Sequence, residues 1–279
     1  MEMFVKYTVM VSVILLMLGV GMGTSFRQVV DAVRQFGVVL RGVLANFLVT
    51  PVLIYLVLLS LPLPSDVKIG IMLMAAAPVA PMASPFVEVA RGDVAYGVGL
   101  MVVVAILSVV LTPLILGLAL PKSEAGVQVD PMQIVQTLVT VQLIPIAIGM
   151  TIRQRSPDWA EKLLKFVPRI GQIGLVTGVG LLLASQFEHI LSISPATYLV
   201  LALLVVGCLF IGQWMLAGEP KDKQRALAIS TAIRNIPLAF LIASSSFPDS
   251  AVGPVTLIFS VLTMVLSVVY GKLRSNGQP

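Results

Sequence analysis

Charge, cysteine and histidine are what this sequence has little of. Only 11% of its 279 residues are Asp, Glu, Lys or Arg, where a soluble domain carries about 25%. The single cysteine, Cys208, excludes a disulfide within the chain and any cysteine metal cluster. The single histidine, His189, follows Glu188 and reads as a solvated loop residue. Without a Ser–His pair, paired aspartates or His-Glu-x-x-His, enzyme chemistry has no equipment here, and no metal site or cofactor is expected. Polar segments are short too: the longest, 121–130 and 153–169, leave no room for a soluble domain.

What is abundant is apolar sequence. Hydrophobic residues make up 58% of the chain and recur in runs over its whole length, the mark of an all-α polytopic membrane protein held in a lipid bilayer. The net charge of +5 sits in short connections between runs, a pattern of membrane orientation that makes a nucleic-acid partner unexpected. The N-terminal run from Tyr7 to Met22 lacks a basic lead and a small-x-small cleavage site, so it reads as a first membrane helix and not as a signal peptide.

Nine spans are expected, at about 7–23, 37–61, 67–90, 94–120, 131–152, 170–187, 196–217, 225–246 and 254–271. With the N-terminus outside, the inner connections and tail, together with Arg41, hold fourteen Lys and Arg against three outside, Lys6, Lys68 and Lys122. The positive-inside rule then puts the C-terminus in the cytoplasm, with the chain in the cell (plasma or inner) membrane. In the 153–169 connection, Ser156 and Pro157 suit a helix start, and Trp159, Leu163 and Phe166 share a face. That spacing predicts a short helix on the inner membrane surface.

Two spans are interrupted. Prolines at 78, 81 and 85 cannot continue one regular helix through Ala75–Phe86, so the backbone must open at membrane depth. The eighth span carries Arg234-Asn-Ile-Pro237, the one cation of the chain that no water-facing segment accommodates. Interrupted helices in corresponding halves point to a transporter site. Single prolines such as Pro51, Pro113 and Pro145 read as kinks.

The stretch Ala77-Pro-Val-Ala-Pro-Met-Ala-Ser-Pro-Phe-Val-Glu-Val-Ala-Arg-Gly-Asp-Val-Ala resembles the first crossover of the bile acid:sodium symporter family. Ile229–Leu238 is similar to its second crossover, Gly42-Val-Leu-Ala-Asn-Phe to the segment that carries a Gln before Phe, and Gly19-Val-Gly-Met-Gly to the first conserved span. The resemblance implies an inverted-repeat fold with two crossed broken helices. The core would be 37–120 with 196–271, and the panel 7–23 with 131–187. It also implies alternating-access transport of a small organic anion. The family's sodium-site Ser and Asn fall on Ala83 and Ser84, its Glu on Ser230, its Gln on Arg234 and a further Gln on Asn46. A carboxylate is lost where a cation is gained. Ser84, Ser230, Thr231 and Asn46 offer only neutral oxygen, and a guanidinium would repel sodium by several kcal/mol even at an effective dielectric of about 20. The two-sodium arrangement is therefore expected to be altered or lost.

Three roles compete for Arg234: a built-in cation replacing sodium on carbonyls at the broken ends, a direct ligand for the substrate anion, or a structural partner for an acid such as Glu88. Glu88 could instead pair with Arg91; if free, it is the candidate for proton coupling. The expected binding set is Arg234, Asn235, Ser230, Thr231, Ser84, Asn46, Pro81, Pro85 and Pro237. A proton-coupled transporter or uniporter is the near alternative, and a non-transporting receptor or scaffold on the same fold is the alternative of another class.

Overall fold

The computed structural model describes residues 2–77, 79–120, 130–247 and 250–275. Pro78 and most of the 121–130 connection lie outside them. Among the described residues the chain is helical throughout, with one isolated antiparallel bridge, between Val79 and Arg234. We number the helices α1 (Glu2–Gly23), α2 (Phe26–Arg34), α3 (Phe36–Ser60), α4 (Ser65–Ala76), α5 (Ala83–Val89), α6 (Val94–Ala119) and α7 (Pro131–Arg155). Then follow α8 (Pro157–Leu164), α9 (Val167–Ser185), α10 (Phe187–Ser192), α11 (Pro195–Met215), α12 (Lys221–Ala232), α13 (Ile236–Ser246) and α14 (Val252–Ser275). Seven stretches are long and apolar enough to cross a membrane: Phe4–Gly23, Phe36–Ser60, Val94–Ala119, Pro131–Arg155, Pro157–Ser185, Pro195–Met215 and Val252–Arg274. The segments 67–90 and 225–246 are each two shorter helices separated by non-helical backbone, α4 with α5 and α12 with α13.

Local chemistry sets the helix starts. The carboxylates of Asp93 and Asp130 accept from the backbone N–H of Tyr96 and Met132, and the Ser194 hydroxyl accepts from Thr197. Each satisfies a donor that the first turn leaves unpaired. Proline stands at or next to the first position of α7, α8, α9, α11 and α13, where its missing N–H does no harm.

Packing concentrates in two groups, joined where α7 meets α6 and α1 meets α13. Helix α1 lies against α7 and α9, at contacts that only glycine permits. A Cβ on Gly21 would fall 2.2 Å from Ile146 O, and one on Gly149 2.3 Å from Leu18 O. Helices α11 and α14 pack around α12, and α14 also covers α4, α5 and α13. The second crossover is the most enclosed stretch: every residue from Gln224 to Ala243 is buried.

Several local expectations need correction. Residues 26–34 of the 24–36 connection form helix α2, stitched by Arg27–Asp31 and Arg34–Asp31 ion pairs. His189 lies in the short helix α10 and not in a loop. Ser156 stands at the start of α8, but its hydroxyl makes no capping bond. Helix α8 itself forms, with Ala160 buried and Trp159 exposed, as is Phe166 just beyond its end.

Candidate functional site

The site begins with a proline. Pro51 has no N–H, and the helix before it relaxes into a π turn over Ala45–Val49 in which Thr50 N–H donates five residues back, to Ala45 O. Thr50 is then committed and Pro51 has nothing to donate, so the Asn46 carbonyl has lost its usual helix partner. Asn46 is fully buried, and its Nδ2 donates to Gly42 O at 2.9 Å. Its two oxygens are left as acceptors.

A second pair of acceptors comes from the end of α4. At Ala77 the backbone turns extended, leaving the last carbonyls of the helix without N–H partners. The Thr112 hydroxyl of α6 donates to Ala76 O at 2.9 Å. Beyond Pro78 the chain meets the second crossover: Val79 and Arg234 form an antiparallel bridge, and Ala80 N–H donates to Ile233 O at 3.2 Å.

Arg234 closes this junction. Its side chain is 1% exposed, and Nη1 donates to Asn46 O at 3.2 Å, Asn46 Oδ1 at 3.3 Å and Ala77 O at 3.3 Å. One guanidinium nitrogen thus ties α3 to the C-terminus of α4, where the helix dipole favours a cation. Nε and Nη2 have no hydrogen-bond partner among the described residues, although the Cys208 thiol of α11 is near enough to interact with the charge. Among the described residues no carboxylate lies within ion-pairing distance of Arg234.

The residue after it faces another way. Asn235 caps α13 by accepting from Leu238 N–H at 3.2 Å, and its Nδ2 donates to Gln142 Oε1 at 3.1 Å. Gln142 sits in a second π turn, Val139–Leu143, ahead of Pro145. Its Nε2 donates to Ala105 O at 3.0 Å and to the Ser108 hydroxyl at 3.1 Å. A buried polar chain therefore links α6, α7 and the second crossover.

The remaining expected residues are scattered around this junction. The hydroxyls of Ser230 and Thr231 on α12 are buried without hydrogen-bond partners among the described residues, and Ser230 faces Gly97 of α6. Pro237 is buried in the first turn of α13. Pro81 and Ser84 are half-buried and Pro85 is exposed, and the bonds of Arg234 among the described residues go to Asn46 and Ala77 and not to these three. Glu88 is exposed and forms no ion pair with Arg91 or Arg234, so both pairings considered for it are absent. Arg225 corrects a further expectation. Assigned to a water-facing segment, it is only 7% exposed, and its Nη1 reaches Ala90 O and Arg91 O at 3.4 Å, at the C-terminus of α5.

Sequence reasoning missed Gln142, Thr112 and Arg225. The first two carried a signal, a polar residue shortly before an intramembrane proline (Pro145, Pro113), where bent backbone gives it something to bind.

A broken-helix crossing tied by a buried arginine fits a known class of membrane protein, and comparison with known proteins decides which. Residues 10–193 match the model of the sodium bile acid symporter family. The chain belongs to that family. Its relatives include the probable chloroplastic sodium/metabolite cotransporter BASS2 of Oryza sativa subsp. japonica, 26% identical over 95% of this chain and 63% of the relative. Another is the probable chloroplastic sodium/metabolite cotransporter BASS6 of Arabidopsis thaliana, 25% identical over 94% of this chain and 67% of the relative. The uncharacterized sodium-dependent transporter YocS of Bacillus subtilis is 23% identical over 88% of this chain and 76% of the relative. The chain thus spans under two thirds of the rice relative's length.

Proposed function

We propose that this member of the sodium bile acid symporter family is a secondary transporter of a small organic anion, in which Arg234 stands where relatives hold sodium. The observation that carries this reading is the placement of Nη1 on Asn46 O, Asn46 Oδ1 and Ala77 O at the crossing of the two broken helices. Carbonyl and amide oxygens converging at a helix C-terminus are ligands for a hard cation, and here a tethered guanidinium occupies them. A free sodium ion would have to share these oxygens with a fixed positive charge and without a carboxylate, so sodium coupling is lost or altered.

In this reading nine crossings form two inverted repeats, counting α4 with α5 and α12 with α13 as one crossing each. The panel is 7–23 with 131–187, and the core is 37–120 with 196–271. The close packing of α1 on α7 and α9 supports that division. So does the glycine-tight α1–α7 contact, which would move as a unit. Burial of the whole stretch from Gln224 to Ala243 is taken in this reading as that of a conformer closed over the crossing. Opening it requires the panel to swing away and the Asn235–Gln142 bond to break. The N-terminus lies outside and the C-terminus in the cytoplasm, the chain residing in the cell membrane.

Uptake of labelled organic anions into proteoliposomes, with and without an inward sodium gradient, tests the proposal. Saturable uptake indifferent to sodium is expected; a strict sodium requirement overturns it. If a proton gradient drives uptake in the wild type but not in Glu88→Gln, coupling belongs to that carboxylate. The unpartnered Nε and Nη2 favour a second reading of the same residue, in which they bind the substrate carboxylate during transport. Protection of Arg234 from an arginine-directed reagent by transported anions, and by no other anion, would assign that role.

A further inference from the structure

A second polar site lies away from the crossing, where α11 ends, α12 begins and α14 reaches the membrane surface. A cavity of about 230 Å³ there is lined by Gln213, Lys221, Gln224, Arg225, Tyr270 and Arg274. Three of these are cations and none is an acid. The neighbouring carboxylates are turned to other work. Glu219 pairs with Arg41, and Asp222 Oδ1 accepts from the backbone N–H of Lys223. Arg225 is buried at 7% exposure, and among the described residues it has two long bonds to neutral carbonyls and no ion pair; a buried charge without a counter-ion is strongly disfavoured. The lining is ordered around it. Gln213 Oε1 accepts from Tyr270 Oη at 2.9 Å and from Arg274 Nη2 at 3.2 Å, which holds the outer arginine at the rim.

We infer that this cavity binds a phosphate group, taking its charge between Arg225 below and Lys221 and Arg274 above. Arginine forks and a lysine point charge at a membrane interface are suited to phosphate. The phosphodiester of an anionic phospholipid and a free phosphate ester share this chemistry. The surroundings favour the lipid: α14 exposes Val261, Val265, Val269 and Leu273 at four-residue intervals, an apolar stripe ending at Leu273 on the cavity rim. A headgroup seated in the cavity would have that stripe for its acyl chains. The site is independent of the transport reading.

The test uses the purified full chain in detergent, wild type and Lys221→Gln/Arg274→Gln, both exposed positions whose loss leaves the core intact. Melting temperature and native mass spectra are recorded with phosphatidylglycerol, phosphatidylcholine or inorganic phosphate at matched ionic strength. Phosphatidylglycerol should raise the wild-type melting temperature and be retained in the gas phase, and the double variant should bind it roughly tenfold or more weakly. A shift with inorganic phosphate as well assigns the site to free phosphate esters. The inference is overturned by equal responses to phosphatidylcholine and phosphatidylglycerol, by an undiminished response in the variant, or by no response to any phosphate probe.

Discussion

The two broken helices solve the same problem by opposite means. In the first, prolines open an uncharged backbone, the half after the break is partly exposed at Pro85 and Glu88, and the segment supplies acceptors: Ala76 O, Ala77 O, Ala90 O and Arg91 O. In the second, burial is unbroken from Gln224 to Ala243, and the segment supplies charged side-chain donors. Its two arginines meet the two C-terminal ends of the first crossover, Arg234 at α4 and Arg225 at α5. In the proposed reading, a crossing that would otherwise hold unsatisfied carbonyls and call for an external cation is closed from within. The charge comes from the helix most thoroughly shielded from water.

The largest disturbance of this complementarity is Arg234→Met. It strips the donor from Asn46 O, Asn46 Oδ1 and Ala77 O, each buried acceptor losing about 1–3 kcal/mol, partly offset by removal of a buried charge. Misplacement of the crossing should lower uptake by about 100-fold or more, and initial rates in proteoliposomes measure it. Gln142→Leu comes next. It leaves Asn235 Nδ2 without its acceptor, at about 1–3 kcal/mol, and should cut uptake roughly tenfold with a fall in melting temperature. The smallest effect is expected at Thr112→Val, which removes one neutral donor from Ala76 O and should cost about 1 kcal/mol by thermal melting. A Thr112 variant as damaging as the Arg234 variant would dissolve the distinction between a charged and an uncharged closure.

Much of this architecture is legible in the residues because the bilayer leaves so few alternatives. Prolines spaced three and four apart at membrane depth force an opening, and an arginine among Ala, Ile and Leu must find oxygen. Which oxygen it finds is not legible. Asn46 O is free only because Thr50 bonds to Ala45 and Pro51 cannot donate, a consequence of the π turn. The chain linking Ser108, Gln142 and Asn235 joins residues far apart in sequence, whose meeting depends on how α6 and α7 pack. Charge counting reads Arg225 as solvated for the same reason: position in a connection does not reveal that α5 ends against it. Glu88 shows the converse, since the i, i+3 spacing to Arg91 suggests a pair that the backbone, turning at Arg91 with φ of 50°, does not form.

The central claim is that Arg234 takes the place of sodium, and sodium-specific stabilisation tests it most directly. Melting temperatures of the wild type and of Ser230→Glu/Arg234→Gln are compared in sodium chloride and choline chloride at equal ionic strength. The account predicts identical melting of the wild type in the two salts, and a rise with sodium only in the double variant, where a carboxylate returns and the fixed charge is gone. A sodium-specific rise in the wild type would contradict it.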